Sequence, residues 1–318
     1  MAYFEKKKIN GRIYVYFVKK VPFMRELLVI KKHIGIEPLT LNKEKYILDN
    51  IESLNQEEFI FKAKFLENIE KMLSHSPTLS NKVEFKSIKI NNYLEGKKCE
   101  KLLDNEFATE FIFNSNNIEG SKIPPDKVRE IIETGNTQYK DKNEVKEVKN
   151  SILAYEYLER DFKFNISSIK RLYYILTKDL RMENKIFYPK GFKKISNIVG
   201  NSSTTPPEKV EKELKFLLDW YFRNKGILHP FILAFEFHRR YEFIHPFLDG
   251  NGRTGRLIMN KILMNNKYSP IIVYKDNKLS YFNSIEKSKE GKIKNYYQFM
   301  LEQTDKTYDY LLKVIGKY

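Results

Sequence analysis

The sequence predicts a mostly α-helical fold with a small β-hairpin flap and an N-terminal β-hairpin extension. Three observations predict it. Apolar residues recur at helical spacing from about residue 39 to the end, a strand-like stretch precedes them, and residues 186–206 alone interrupt the helical rhythm.

The extension comes first. Arg12-Ile-Tyr-Val-Tyr-Phe-Val-Lys19 and Glu26-Leu-Leu-Val-Ile-Lys31 are rich in β-branched and aromatic residues, with Pro22 between them and Gly35 after. This pattern reads as two strands of a hairpin. A lone hairpin is marginal in water, so it is expected to pack on the body or on a partner. After Pro38 the pattern turns helical: Phe61, Phe65, Ile69 and Met72 follow one another at spacings of four, four and three. Helices are expected at roughly 100–118, 126–134, 143–161, 167–180, 207–224, 230–243, 252–266, 278–288 and 293–315. Pro124-Pro125-Asp126 marks one start, with proline and an acidic residue in the first turn. Residues 186–206 hold Pro189, Gly191, Gly200 and Pro206 around Ile195 and Ile198-Val199, which reads as a short hairpin or flap. The expected organisation is a basic extension at 1–38, a helical region at 39–160 and a core at 161–318.

Composition narrows the function classes. The chain has 318 residues, 14% aromatic and 31% charged, the profile of a globular protein able to bury its own core. Cys99 is the single cysteine, which excludes an intrachain disulfide and a cysteine-cluster zinc site. No signal stretch follows the N-terminal lysines and no run of about 18 apolar residues occurs, so no membrane role and a cytoplasmic location are expected. The net charge of +16 suits partners that carry phosphate. It equally suits a lysine-rich surface that keeps the chain in solution.

The segment His245-Pro-Phe-Leu-Asp-Gly-Asn-Gly-Arg-Thr-Gly-Arg256 carries the chemistry. It is a glycine-containing loop that opens a helix. Such a loop aims free backbone N–H groups at one spot, and the helix dipole favours an anion there. Arg253 and Arg256, three apart, share a helix face and supply two guanidinium groups to that spot. Asp249 offers one carboxylate, which with substrate phosphates is a common way to hold Mg2+. His245 has the near-neutral pKa suited to take a proton from a hydroxyl. Base, metal ligand, anion nest and two cations within twelve residues form the parts of a phosphoryl-type transfer site. The competing reading, a helix–loop–helix turn with incidental charges, does not account for the whole combination.

This segment resembles the Fic motif, and the resemblance continues upstream through His229-Pro-Phe-Ile-Leu-Ala, across the flap at 191–206, and on to about residue 300. The resemblance implies a helical Fic fold and transfer of AMP from ATP, with Mg2+, to a Ser, Thr or Tyr hydroxyl of a protein, the chain itself included. It implies His245 as general base and Asp249 as the Mg2+ ligand. It further implies Gly250, Asn251 and Gly252 as the anion hole, Arg253 and Arg256 on the outer phosphates, and Phe247 as the loop's anchor in the core. A kinase relative, the Doc toxin, has lysine at the position of Gly252, so the glycine favours nucleotidyl transfer. The flap's Ile198 and Val199 are expected to clamp a target segment by strand addition. Where many Fic proteins have arginine shortly after the flap's first glycine, this chain has Gly191-Phe-Lys-Lys194. Tyr281 resembles a position near the adenine; an aromatic there stacks on a base, or serves simply as core.

Ser115-Asn-Asn-Ile-Glu119-Gly120 closes a predicted helix. By itself it reads as a helix end with a glycine cap. It also resembles the family's N-terminal inhibitory motif, which implies that Glu119 pairs with Arg256 and competes with phosphate for the same guanidinium.

Two alternatives accompany the transferase expectation. One is removal of AMP at the same site. The other is nucleic-acid binding by the basic extension, where Tyr14, Tyr16 and Phe17 lie among lysines. A homodimer is also open. Of the remaining histidines, His229 is expected to cap a helix and His238 to be buried.

Overall fold

The computed structural model describes residues 1–66, 77–97, 100–182, 185–199 and 202–317. Ile69, Met72, His75, Cys99 and Gly200 lie outside them.

The N-terminal extension has three strands rather than the expected two. β1 (Ala2–Ile9), β2 (Arg12–Phe23) and β3 (Glu26–Ile36) form an antiparallel sheet in that order. Asn10-Gly11 turns β1 into β2, with φ of 48° and 78°. Positive φ at both central residues is the turn whose twist suits a hairpin, and Asn-Gly is its preferred sequence. Pro22 lies inside β2 rather than between strands, opposite Leu27 of β3 and beyond the last residue that pairs with β1. A residue without an N–H fits such an open flank. Along β2, Val15, Phe17, Lys19, Val21 and Phe23 alternate inward. Phe17 and Ile30 close with Ala2, Ile47 and Leu54 into a small apolar cluster, which seats the sheet on α1 (Lys43–Asp49) and α2 (Ile51–Ala63).

Next come α3 (Pro77–Lys97), α4 (Glu100–Ile118), α5 (Pro125–Thr134), α6 (Lys142–Arg160) and α7 (Ile166–Thr177). Side chains cap several of these starts, which fixes where the chain enters each helix. Asp141 accepts from Asn143 and Glu144 ahead of α6, and Asn165 accepts from Ser168 ahead of α7. The flap follows as β4 (Ile198–Val199) and β5 (Ser202–Ser203), paired antiparallel. The chain ends with α8 (Val210–Asn224), α9 (Pro230–Ile244), α10 (Asn251–Asn265), α11 (Lys278–Lys289) and α12 (Ile293–Ile315).

One apolar core runs through this body, from Phe23 to Ile315. α9 lies at its centre: Phe231, Phe235, Phe237 and Tyr241 are all fully buried. A helix apolar all round belongs inside, and its two ends are then fixed by everything packed on it. His229 caps it, its Nδ1 accepting from the Phe231 N–H at 3.3 Å. Among the described residues no helix is long and apolar enough to cross a membrane.

Candidate active site

The loop between α9 and α10 is held in shape by three side chains. α9 stops at His245, which takes a left-handed conformation (φ 49°, ψ 64°). Asn251 then folds back on the loop. Its side chain accepts from the Phe247 N–H and donates to the Phe247 carbonyl, both at 2.8 Å. Phe247 is fully buried, and its ring stacks on Tyr173 with centroids 3.8 Å apart and planes 4° from parallel. Asn197, at the foot of the flap, donates to the carbonyls of Phe247 and Leu248.

α10 begins behind Gly250, whose φ of 78° turns the chain into the helix with no side-chain cap. The N–H groups of its first turn therefore stay available to an anion. Asp249 is tied at both oxygens: Oδ1 accepts from the Gly250 N–H at 2.5 Å and Oδ2 from the Tyr188 hydroxyl at 2.9 Å.

Each of the two arginines meets a carboxylate from an upstream segment. Arg256 is 1% exposed. Its Nε donates to Ser115 Oγ at 3.0 Å, and its Nη2 donates to the Ser115 carbonyl at 2.9 Å and to Glu119 Oε1 at 2.7 Å. Its Nη1 is buried with no hydrogen-bond partner among the described residues. Glu119, one residue past the end of α4, thus reaches the first turn of α10. It lies so close over Gly252 that a Cβ there would collide with Oε1. Arg253 is paired with Glu147 of α6 through Nη1, and its Nη2 donates to the Tyr188 hydroxyl at 3.0 Å. Burial raises the Glu147 carboxyl above its ordinary pKa; Arg253 opposes this, while Glu119, Glu144 and Asp249 reinforce it.

His245 is backed by Glu242 of α9, one turn earlier. Nδ1 of His245 lies 3.7 Å from Glu242 Oε2, and Nδ1 of His238 lies 3.8 Å from Oε1. Burial opposes the Glu242 charge, but the two histidines and Arg256 hold its pKa below the ordinary carboxylate value. Burial also depresses His238, to about 4, so that ring is neutral near pH 7.

A cavity of about 490 Å³ opens beside these groups, lined by Glu119, Glu147, Asp249, Tyr188, Asp141 and Arg181 among others. Its wall is acidic in a strongly basic protein, and two of those acids occupy the cations an anionic ligand would need. Among the described residues no three His, Cys, Asp or Glu side chains converge to form a metal cage. Asp249, a single hard oxygen donor on the cavity wall, fits a Mg2+ ion carried chiefly by phosphate and water.

Of the expected site residues, Glu119, Gly120 and Asp249 line this cavity, Arg256 is held by Ser115 and Glu119, Gly252 lies under Glu119, and His245, Gly250, Asn251 and Arg253 stand on the same loop and helix start. Ile198 and Val199 form the first flap strand. Of the two readings open for Tyr281, base stacking or core, its burial favours core. It is 1% exposed, and its hydroxyl lies 2.7 Å from His238 Nε2. A ring buried in this way has no free face for a base, so it is core, set behind Arg256 at 5.9 Å. Glu147, Tyr188 and Glu242 escaped the sequence reading. Glu147 sits in Asn143-Glu-Val-Lys-Glu147, which looks like a solvated helix face. Glu242 had one usable signal, its place three residues before His245 on the same helix face.

The fold and loop define a helical domain in which a glycine-containing loop opens a helix with an uncapped first turn. Comparison with known proteins narrows the class. Residues 163–263 match the model of the Fic/DOC family. It is 36% identical over 104 residues to the protein adenylyltransferase Fic of Nematostella vectensis, covering 32% of this chain and 24% of that protein. It is 29% identical over 209 residues to the protein adenylyltransferase Fic of Drosophila mojavensis, covering 63% of this chain and 40% of that one. The chain therefore spans less than half the length of either relative. A Fic family protein from Desulfovibrio desulfuricans shares the fold, with a TM-score of 0.63, 24% identity and 75% of each chain covered.

Proposed function

We propose that this chain is a protein adenylyltransferase that moves AMP from ATP to a Ser, Thr or Tyr hydroxyl, held off by Glu119. The observation that carries the proposal is the uncapped first turn of α10 next to Asp249 on the cavity wall, where Glu119 and Glu147, which also line the cavity, reach Arg256 and Arg253.

His245 takes the proton of the attacking hydroxyl on the ring nitrogen turned away from Glu242. The hydroxyl oxygen bonds to the α-phosphorus, the α–β bridge bond breaks, and pyrophosphate leaves with the bond's electron pair. Arg253 and Arg256 hold the outer phosphates, and the first turn of α10 receives the negative oxygens. Asp249 would help to hold a Mg2+ ion, which would supply neutralisation of phosphate charge. Ile198 and Val199 offer the backbone edge along which a target segment docks. Residues 1–38 form an extension, 39–160 the regulatory helices and 161–318 the transfer core.

Glu119 supports the regulatory half of this proposal. It holds Arg256 at 2.7 Å and covers Gly252, so phosphate and carboxylate contend for one place. The decisive experiment is intact mass spectrometry after incubation with ATP and Mg2+. The Glu119→Gly protein is expected to gain the mass of AMP about tenfold faster than the parent, consistent with loss of a charge-assisted contact. Glu119→Gly with His245→Ala is expected to gain none. No gain in Glu119→Gly, or gain without His245, overturns the proposal. The position of the Glu119 carboxylate inside the cavity also suits a second activity, the placing of a water that removes AMP. Loss of AMP from a pre-modified target separates the two.

A further inference from the structure

Lys193 is buried at 3% exposure between the flap and the catalytic loop, and no acidic side chain meets it among the described residues. Burial alone lowers its pKa, to about 8. An unpaired buried ammonium is costly, so its position requires an account. The three N–H bonds of the ammonium find three acceptors: Asn197 Oδ1 at 2.7 Å, Thr204 Oγ1 at 2.5 Å and the Ile244 carbonyl at 3.4 Å. The last of these ends α9, where the helix dipole is negative, so helix partial charge stands in for a counter-ion. The backbone N–H of Lys193 donates to the Pro246 carbonyl at 3.0 Å. One residue thus grips the carbonyls on either side of His245.

Its partners extend the grip. Asn197, which accepts from Lys193, donates onward to Phe247 and Leu248. Thr204 donates to the Asn197 carbonyl at 3.0 Å, and the Thr205 N–H reaches Phe243 at 3.3 Å. Together they satisfy carbonyls at 243, 244, 246, 247 and 248. His245 itself sits in the left-handed region, which is uncommon for a residue with a side chain and persists only where its surroundings hold it.

We infer that Lys193 is a positioning residue for the transfer reaction, whose buried ammonium locks the foot of the flap to the loop and fixes where His245 stands. Target docking on the flap and proton abstraction at His245 are then mechanically joined. The inference deepens the adenylyltransferase proposal and rests on it.

The test uses the full chain in the Glu119→Gly background, with Lys193→Met and Lys193→Arg. Lys193→Met removes all three donors at similar length. It is expected to lower turnover at least tenfold while affinity for a non-hydrolysable ATP analogue changes less than threefold. Amide exchange at Phe247 is expected to quicken at least tenfold, with that of Leu233–Phe237 in α9 unchanged. Lys193→Arg, which keeps a cation and donors, is expected to recover at least a third of the turnover. Turnover of Lys193→Met within twofold of its parent overturns the inference, as does an equal loss in both variants. If the Glu119→Gly parent transfers nothing, the adenylyltransferase proposal fails. The exchange result then decides alone: unchanged exchange at Phe247 in Lys193→Met overturns the clamp and quickened exchange upholds it. If Lys193→Met does not fold, exchange at Phe247 in Lys193→Arg decides: protection within threefold of its parent upholds the clamp, a larger loss overturns it.

Discussion

Two of the buried ionic networks among the described residues differ in completeness. The first joins the N-terminal sheet to the helical body. Glu84 accepts from the Tyr268 hydroxyl and meets Lys62 at 3.3 Å and His229 at 3.4 Å. Lys62 also meets Glu58 at 3.2 Å, and Glu58 meets Lys19 of β2 at 3.3 Å. Burial is the largest influence on Glu84, yet Lys62, His229 and Tyr268 outweigh it and pull its pKa down to about 2. Among the polar atoms of this network and its neighbours Asn55 and Asn92, only Asn55 Nδ2 lacks a partner. The second network surrounds the loop, where Arg253 Nε, Arg256 Nη1, His238 Nδ1, His245 Nδ1 and Glu242 Oε1 all lack one. Buried polar atoms are normally satisfied, so five exceptions in one place set this network apart from the first. A closed network ties pieces of the fold together; an open one awaits chemistry.

The largest expected effect breaks the closed network. Lys62→Met leaves Glu58 and Glu84 without their shared cation and is expected to cost about 3–5 kcal/mol of stability. Urea denaturation measures it, and affinity for an ATP analogue should stay within twofold. A stability loss under about 1 kcal/mol would erase the distinction drawn between the two networks.

Acid tests the boundary of the open network next. The folded-state pKa of His238, about 4, lies below its ordinary value of 6.5, because burial penalises its charge. The unfolded chain therefore binds the proton more readily. The contribution of His238 is complete above pH 6.5 and is lost as pH falls through that value toward 4. The loss amounts to about 3 kcal/mol. Denaturation midpoints at pH 7 and pH 4.5, compared between the parent and His238→Gln, should show a shallower decline in the variant. Identical slopes would contradict it.

The smallest effect is expected at Glu147. Glu147→Gln keeps shape but removes the charge paired with Arg253, so phosphate affinity should rise about fivefold, roughly 1 kcal/mol. Titration with an ATP analogue reads it. A fall in affinity would make Glu147 a support for Arg253 rather than a competitor, and would place the open network's regulation on Glu119 alone.

The same contrast explains what could be read from sequence. α4 through α12 were legible because their apolar faces recur at helical spacing and because several begin at Asp, Asn or Pro caps. The loop was legible because its chemistry is contiguous. α3 was not, since it turns Ser80, Glu84, Ser87 and Asn92 inward, and its buried face is partly polar. β1 was hidden by Lys6-Lys7-Lys8, although Asn10-Gly11 announced its turn. Glu147 and Lys193 were unreadable for a different reason. Their roles exist only once segments 106 and 51 residues apart in the chain are brought together.

Chain order adds one consequence to the contact between Glu119 and Arg256, which lie 137 residues apart. Synthesis proceeds from the N-terminus, and segments begin to fold as they emerge. α4 and its carboxylate leave the ribosome well before the loop and α10 exist. The guanidinium of Arg256 therefore meets its partner on first arrival, and no stage of the protein's making presents a finished loop without it. On the proposed role of Glu119, restraint is the condition in which this site is born, and release requires a later event.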